Sequence, residues 1–215
     1  MNVNPYLTPA QRKILEQAKI GVAGLGGLGS NVLAHLVRAG IRRFVAADFD
    51  AVAASNLNRQ FFFADQVGQK KTEALAENLR RIGRGLVLDF HDLRLTENNT
   101  RDFFSGCDIV VEAFDTADAK TMLIAALADS GNPVVAASGL AGFGKSNDIR
   151  VRKAGKYLYL VGDLVSGISP KLAPASPRVG IAAAMEAKYR HRHSTGDGDL
   201  TKFGSAYYVQ ISNRI

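Results

Sequence analysis

Strand, glycine turn, helix, strand: that opening, an acid closing the second strand, and a continued alternation of apolar strands with helical periods predict an α/β fold. The sheet is expected to be Rossmann-like and doubly wound, mainly parallel, with a C-terminal antiparallel hairpin extension. Pro9 to Ala18 has the spacing of a short polar helix, with Thr8 as its N-cap and Pro9 in the first turn. Lys19 to Gly24 is a short apolar strand, and Gly24-Leu-Gly-Gly-Leu-Gly29 turns it into a helix from Ser30 to Ala39. Gly40 ends that helix, because glycine accepts the left-handed conformation common at helix C-termini. Arg43 to Ala47 is the second strand and stops at Asp48-Phe-Asp50.

A looser region, Ala51 to Gly68, precedes a helix from Lys70 to Ile82, whose Leu75, Leu79 and Ile82 fall on one face. Leu86 to Phe90 and Asp108 to Ala113 read as the third and fourth strands. Lys120 to Ser130 is a helix stopped by Gly131, and Pro133 to Ala137 is a fifth strand. The pattern then changes: Asn147 to Arg152 and Lys156 to Val161 form a hairpin turned at Ala154-Gly155, and Val179 to Tyr189 is a helix. Two regions follow, a domain over 1–190 and a divergent or partly disordered tail over 191–215, within which Ala206 to Ile211 leans toward strand.

Composition narrows the class. The chain has 215 residues, 47% hydrophobic and 22% charged, enough for one well-buried domain without a staple. Cys107 is the only cysteine, so neither an intrachain disulfide nor a four-thiolate zinc site can form, which suits a reducing cytoplasm. Neither a signal peptide nor an 18-residue apolar run is read, so no membrane span is expected. The net charge of +7 is uneven, and without a nucleic-acid motif it reads as a mildly basic protein that binds no nucleic acid.

The glycine turn is the first candidate site. A helix N-terminus carries unpaired N–H groups and partial positive charge, which hold anionic oxygens, and Gly24, Gly26, Gly27 and Gly29 let a phosphate approach the backbone. The plain alternative is a tight turn with no ligand. Asp48, 19 positions after Gly29, stands where a carboxylate hydrogen-bonds a ribose hydroxyl, and Asp50 is a second candidate. Arg59 and Lys71 come next along the chain. Read singly, each is a solvated surface charge; together they suit a triphosphate, whose reaction develops more negative charge than a diphosphate cradle must handle. Asp115 follows the fourth strand at the ligand edge of the sheet, where a carboxylate can hold Mg²⁺. It, or Thr116, could instead cap the next helix. Cys107 reads as a structural thiol.

Taken in order, Gly24-Leu-Gly-Gly-Leu-Gly29, Asp48-Phe-Asp50, Asn56-Leu-Asn-Arg-Gln60, Val67-Gly-Gln-Lys-Lys71 and Phe114-Asp115 resemble the ThiF/MoeB/HesA superfamily. That superfamily also includes the adenylation domains of ubiquitin-activating enzymes, and the match runs from about Lys19 to Ala187. Ser138-Gly-Leu-Ala-Gly-Phe-Gly144, Ser146 to Arg150 and Arg178 to Met185 look like the short ThiF type of thiamine biosynthesis. The resemblance implies ATP-dependent adenylation of a small ubiquitin-like sulfur carrier protein ending in Gly-Gly, with a separate sulfur donor enzyme and a homodimer. It implies that Asp48 holds the ribose, and that Asn56, Asn58, Arg59 and Lys71 line the nucleotide. It places Asp115 on Mg²⁺ or beside the α-phosphate. Three departures stand out. Asn4-Pro-Tyr-Leu-Thr8 lacks the N-terminal arginine of longer relatives, the paired zinc cysteines are missing, and the end from Tyr189 leaves the pattern. An NAD-dependent oxidoreductase accounts for the glycine turn and Asp48 but not for Arg59 and Lys71. A non-catalytic nucleotide-binding scaffold is the other rival.

Overall fold

The computed structural model describes residues 7–167, 169 and 172–188. The tail over 191–215, the strand-like segment in it and Asn4 to Tyr6 lie outside the described residues.

The elements run α1 (Pro9–Gln17), β1 (Lys19–Ala23), α2 (Gly27–Ala39), β2 (Arg43–Asp48), α3 (Lys71–Ile82), β3 (Val87–Asp92), α4 (Glu97–Phe103), β4 (Ile109–Glu112), α5 (Ala117–Leu127), β5 (Val134–Ala137), β6 (Arg150–Lys153), β7 (Leu158–Gly162) and α6 (Ser176–Lys188). They build one seven-stranded sheet in the order β3-β2-β1-β4-β5-β7-β6. All pairs are parallel except β6 with β7. The expected antiparallel hairpin extends the sheet itself. Its second strand joins β5 in parallel, and β6 becomes the antiparallel edge.

The order reverses between β1 and β4: the chain runs outward from β1 through β2 to β3, then builds outward from β4 on the other side of β1. Such a switch point opens a crevice beyond the C-terminal ends of the strands. Alternating side chains on β1 send Val22 to one buried layer and Ala23 to the other. Leu15, Val32, Leu33, Leu75, Leu79, Val179 and Ala182 cover the first face, so α1, α2, α3 and α6 lie there. Phe104, Leu123 and Leu127 cover the second with α4 and α5. Gly21 has a packing reason: a Cβ there would lie 2.6 Å from the Phe104 ring.

Local chemistry accounts for the boundaries. The Thr8 hydroxyl accepts from the Gln11 N–H, the Gln11 side chain accepts in return, and α1 starts as a capping box. Gly40 takes φ +112° and closes α2. The sequence reading started α2 at Ser30, but the helix begins inside the glycine turn at Gly27, so the turn supplies its first N–H groups. It also passed over α4, a seven-residue polar helix with little apolar periodicity to announce it. No helix among the described residues is long and apolar enough to cross a membrane.

Candidate nucleotide site

The glycine turn closes on backbone. Gly24 sits at φ +93°, donates its N–H to the Ala47 carbonyl, and has no room for a side chain, since a Cβ would meet the Ala113 carbonyl at 2.9 Å. At Gly29 the limit is harder: a Cβ would fall 1.9 Å from the Gly24 carbonyl oxygen. Gly26 is different. It is the N-cap of α2 with no side-chain cap, and a Cβ there meets nothing closer than Gln60 Nε2 at 3.8 Å. Two glycines thus shape the turn, while Gly26 leaves space above an uncapped helix N-terminus.

The acids follow. Asp48 ends β2 with its carboxylate turned to the turn: Oδ2 accepts from the Leu25 N–H at 2.6 Å and Oδ1 from the Asp50 N–H at 2.8 Å. Burial pushes its carboxyl up, against the opposing pull of Lys71 and those two N–H groups. Asp50 faces elsewhere. Its Oδ2 lies 2.7 Å from Lys71 Nζ, and its carbonyl accepts the Lys71 N–H at 3.0 Å. Lys71 is not the solvated charge a lone lysine suggests, for its side chain is only 7% exposed. Lys70, its neighbour, is half-exposed and pairs with Asp92 at 3.0 Å.

Asn31, on α2, draws the next cation in. Its Nδ2 donates to the Gly27 carbonyl at 2.7 Å and to the Arg59 carbonyl at 2.9 Å. The Ser30 hydroxyl accepts the Phe61 N–H at 3.0 Å, so the Asn56 to Phe61 segment is tied along the first turn of α2. The Arg59 side chain then passes beside Gly27, 3.5 Å from where a Cβ would stand. Asn58 Oδ1 accepts from Arg59 Nη1 at 2.8 Å, and Asn56 Oδ1 accepts from the Ala53 N–H at 3.0 Å. Both asparagines shape the loop that presents Arg59.

Asp115 lies beyond β4, exposed and without a hydrogen bond among the described residues. Thr116, not Asp115, caps α5. The turn before it is pinned from below. Glu112, fully buried, accepts the Phe114 N–H at 2.7 Å and takes Lys120 Nζ at 2.9 and 3.1 Å. Burial pushes the Glu112 carboxyl up, with Lys120 opposing. Glu186 on α6 is buried beside this pair with neither oxygen bonded among the described residues; burial and the Glu112 charge raise it well above the usual carboxylate range.

At the far end of the same edge, Arg178 joins three segments. Its guanidinium donates to the Gly144 and Gly139 carbonyls, to Asp163 Oδ2 at 2.6 Å and to Ser166 Oγ at 3.3 Å. Burial would raise the Asp163 carboxyl, but the Ser166 hydroxyl, the Ser166 and Val165 N–H groups and Arg178 outweigh it and hold it well below the usual range. Arg178 is 1% exposed and holds the Ser138 to Gly144 loop in place. Phe143 in that loop is 73% exposed. Cys107 is buried with its thiol pushed up to about 11, which keeps it a thiol near neutral pH.

Glu112, Lys120, Asp163 and Glu186 were missed by sequence reasoning. The ion pairs join Lys120 to Glu112 across eight positions and Arg178 to Asp163 across fifteen, and Glu186 comes beside Glu112 only in the fold, so no local spacing marks them. Asn31 did leave a trace, a polar residue one helical turn after Gly27.

A doubly wound sheet whose switch-point edge gathers an open helix N-terminus, a buried acid and two cations defines a protein of the Rossmann-like class. The sequence is more specific than that: the ThiF family model matches residues 1–172, and the chain belongs to the ThiF family. It is 34% identical over 120 residues to the tRNA threonylcarbamoyladenosine dehydratase of Haemophilus influenzae, covering 55% of this chain and 46% of that protein. It is 31% identical over 132 residues to the sulfur carrier protein adenylyltransferase of Thermus thermophilus, covering 61% and 49%. The chain thus spans about half the length of these relatives. Among solved structures, the E. coli tRNA N6-threonylcarbamoyladenosine dehydratase in complex with ATP superposes with TM-score 0.74 at 24% identity, over 93% of this chain and 90% of that one, a likeness of fold.

Proposed function

We propose that this protein adenylates the C-terminal glycine carboxylate of a small ubiquitin-like sulfur carrier protein, in the manner of the adenylyltransferase relatives. The observation that carries the reading is the pair of cations. Arg59 beside Gly27 and buried Lys71 stand in addition to the acid and glycine turn that a dinucleotide binder needs. In this reading the ATP phosphates lie over the N-terminus of α2, where N–H groups and the helix dipole favour anions. Asp48 holds the ribose, with Asn56 and Asn58 shaping the neighbouring wall. Arg59 and Lys71 meet the charge that grows on the phosphates.

A carboxylate oxygen of the carrier attacks the α-phosphorus, the bond to the β-phosphate oxygen breaks, and pyrophosphate leaves, giving an acyl adenylate. No protein nucleophile is needed, because alignment and charge stabilisation supply the catalysis. Asp115, whose carboxylate has no hydrogen bond among the described residues, fits a hard cation; Mg²⁺ bound there would neutralise phosphate oxygens. The carrier tail approaches past the Ser138 to Gly144 loop, held by Arg178. The acyl adenylate then passes to a separate sulfur donor, thiamine thiazole formation being the destination that loop's sequence suggests. The protein works as a cytoplasmic homodimer in this account.

The test is ATP–pyrophosphate exchange. Exchange should begin only when a Gly-Gly carrier is added with ATP and Mg²⁺. Tight binding of NAD(H) with no exchange would instead establish the oxidoreductase. The Haemophilus influenzae relative favours a second substrate reading, a tRNA; the same assay with tRNA in place of the carrier separates the two.

A further inference from the structure

Asp48 and Asp50 stand two residues apart at the end of β2, yet their carboxylates have different surroundings. Both oxygens of Asp48 are held by backbone N–H groups, at 2.6 and 2.8 Å. Asp50 spends one oxygen on Lys71 at 2.7 Å, and its side chain is 52% exposed. Lys71 is the awkward partner. It opens α3, where the helix dipole opposes a positive charge, and its side chain is almost fully buried. A buried ammonium without a counterion is costly, and a four-carbon stem without a tether samples many rotamers. Asp50 answers both needs. The backbone fixes the match: the Lys71 N–H donates to the Asp50 carbonyl, and Ala51 bridges Lys70, so the two side chains leave a rigid crossing point of β2 and α3 in register.

We infer that Asp50 is a positioning residue: it holds the Lys71 ammonium buried and aimed at the phosphate site, and acts on the nucleotide only through Lys71. The inference rests on the proposed nucleotide reading. It removes Asp50 from the ribose, leaving that contact to Asp48. The other charges facing this pair are Asp48, which interacts with Lys71 across the β2 end, and the Lys70–Asp92 pair on the outer side. Neither replaces Asp50, because Asp48 is committed to the turn and Lys70 to Asp92.

The experiment is a double-mutant cycle on ATP affinity, measured by calorimetry on the full chain without any carrier. Asp50→Asn keeps the shape and removes the charge, and should weaken ATP binding about tenfold, the usual size of one charge-assisted contact. Lys71→Ala should weaken it at least as much. The double variant should bind ATP like Lys71→Ala alone, since Asp50 has nothing left to position. Asp50→Glu, which keeps the charge, should recover most of the loss. Thermal unfolding of each variant separates folding from binding. Additive losses in the double variant, or an Asp50→Asn protein that binds ATP as well as wild type, would overturn the inference. If wild type itself binds no ATP, the nucleotide reading fails first, and that outcome is distinct.

Discussion

The two ends of the ligand edge are built differently. Beyond β1 and β2 the site is made of backbone, with glycines, an uncapped helix start and Asp48 held by the N–H groups of Leu25 and Asp50. Beyond β5 and β7 it is made of one buried arginine on α6 reaching two segments, the Ser138 to Gly144 loop and Asp163 to Ser166. The first kind of site is set by backbone conformation and tolerates no added atoms at Gly24 and Gly29. The second is set by a long-range ion pair and fails when that pair is broken. Substitutions should separate the two.

The largest effect is expected at Gly29. Its Cβ would overlap the Gly24 carbonyl, so Gly29→Ala should cost more than about 3 kcal/mol or prevent folding, read as the denaturation midpoint. Gly26→Ala should leave stability within roughly 1 kcal/mol while weakening ATP binding, because the added methyl enters the open cradle. Equal stability of the two variants would break the backbone account.

Arg178→Met comes next. Removing one partner of a buried pair costs about 3–5 kcal/mol, and ATP affinity should not change in the variant that remains folded. The pH dependence has a definite sign. The Asp163 carboxyl is depressed in the folded state, so its pairing stabilises above the ordinary carboxylate range and is lost as pH falls through its folded value. The stability gap between wild type and variant should therefore persist through mildly acidic pH and close only in strong acid. A gap that closes near neutral pH would contradict the assignment.

Lys71→Ala should lower carrier-dependent exchange by about 10²–10³, the usual effect of removing one preorganised charge donor. Lys70→Ala should be nearly silent, since exposed pairs like Lys70–Asp92 contribute about 0–1 kcal/mol. Equal losses would show that the α3 register is not what selects the cation.

Glu186→Gln is a smaller and opposite case. The Glu186 carboxyl is raised in the folded state, so the native protein keeps a proton that the unfolded chain releases, and stability falls as pH rises above the ordinary carboxylate range. Glutamine removes that penalty. Its melting temperature should exceed wild type by about 2–4 °C at pH 8 and by less at pH 5, the size expected for roughly 1 kcal/mol.

How much of this could be read beforehand follows the same division. The succession of strands and most helices along the chain, the glycine turn, Asp48 as the acid ending β2 and the hairpin were legible, because periodicity and turn chemistry are local signals. Lys71 was legible as a candidate, but its burial and its bond to Asp50 were not, since they depend on how α3 crosses the end of β2. Arg178 was noticed only as a neighbour of the glycine-rich loop. Its four partners lie 12 to 39 positions away, so no spacing could announce it. Glu112 reads as the polar end of an apolar strand, and only the fold shows that Lys120 and the Phe114 N–H hold it.

The most direct measurement is the intact mass of a Gly-Gly-ending carrier after incubation with this protein, ATP and Mg²⁺, beside the same carrier lacking its last glycine. The account predicts that the complete carrier gains the mass of one adenylyl group, that pyrophosphate appears in equal amount, and that the shortened carrier and the Lys71→Ala protein give almost none. An unmodified complete carrier under conditions where the protein binds ATP, or adenylation of both carriers alike, would contradict it.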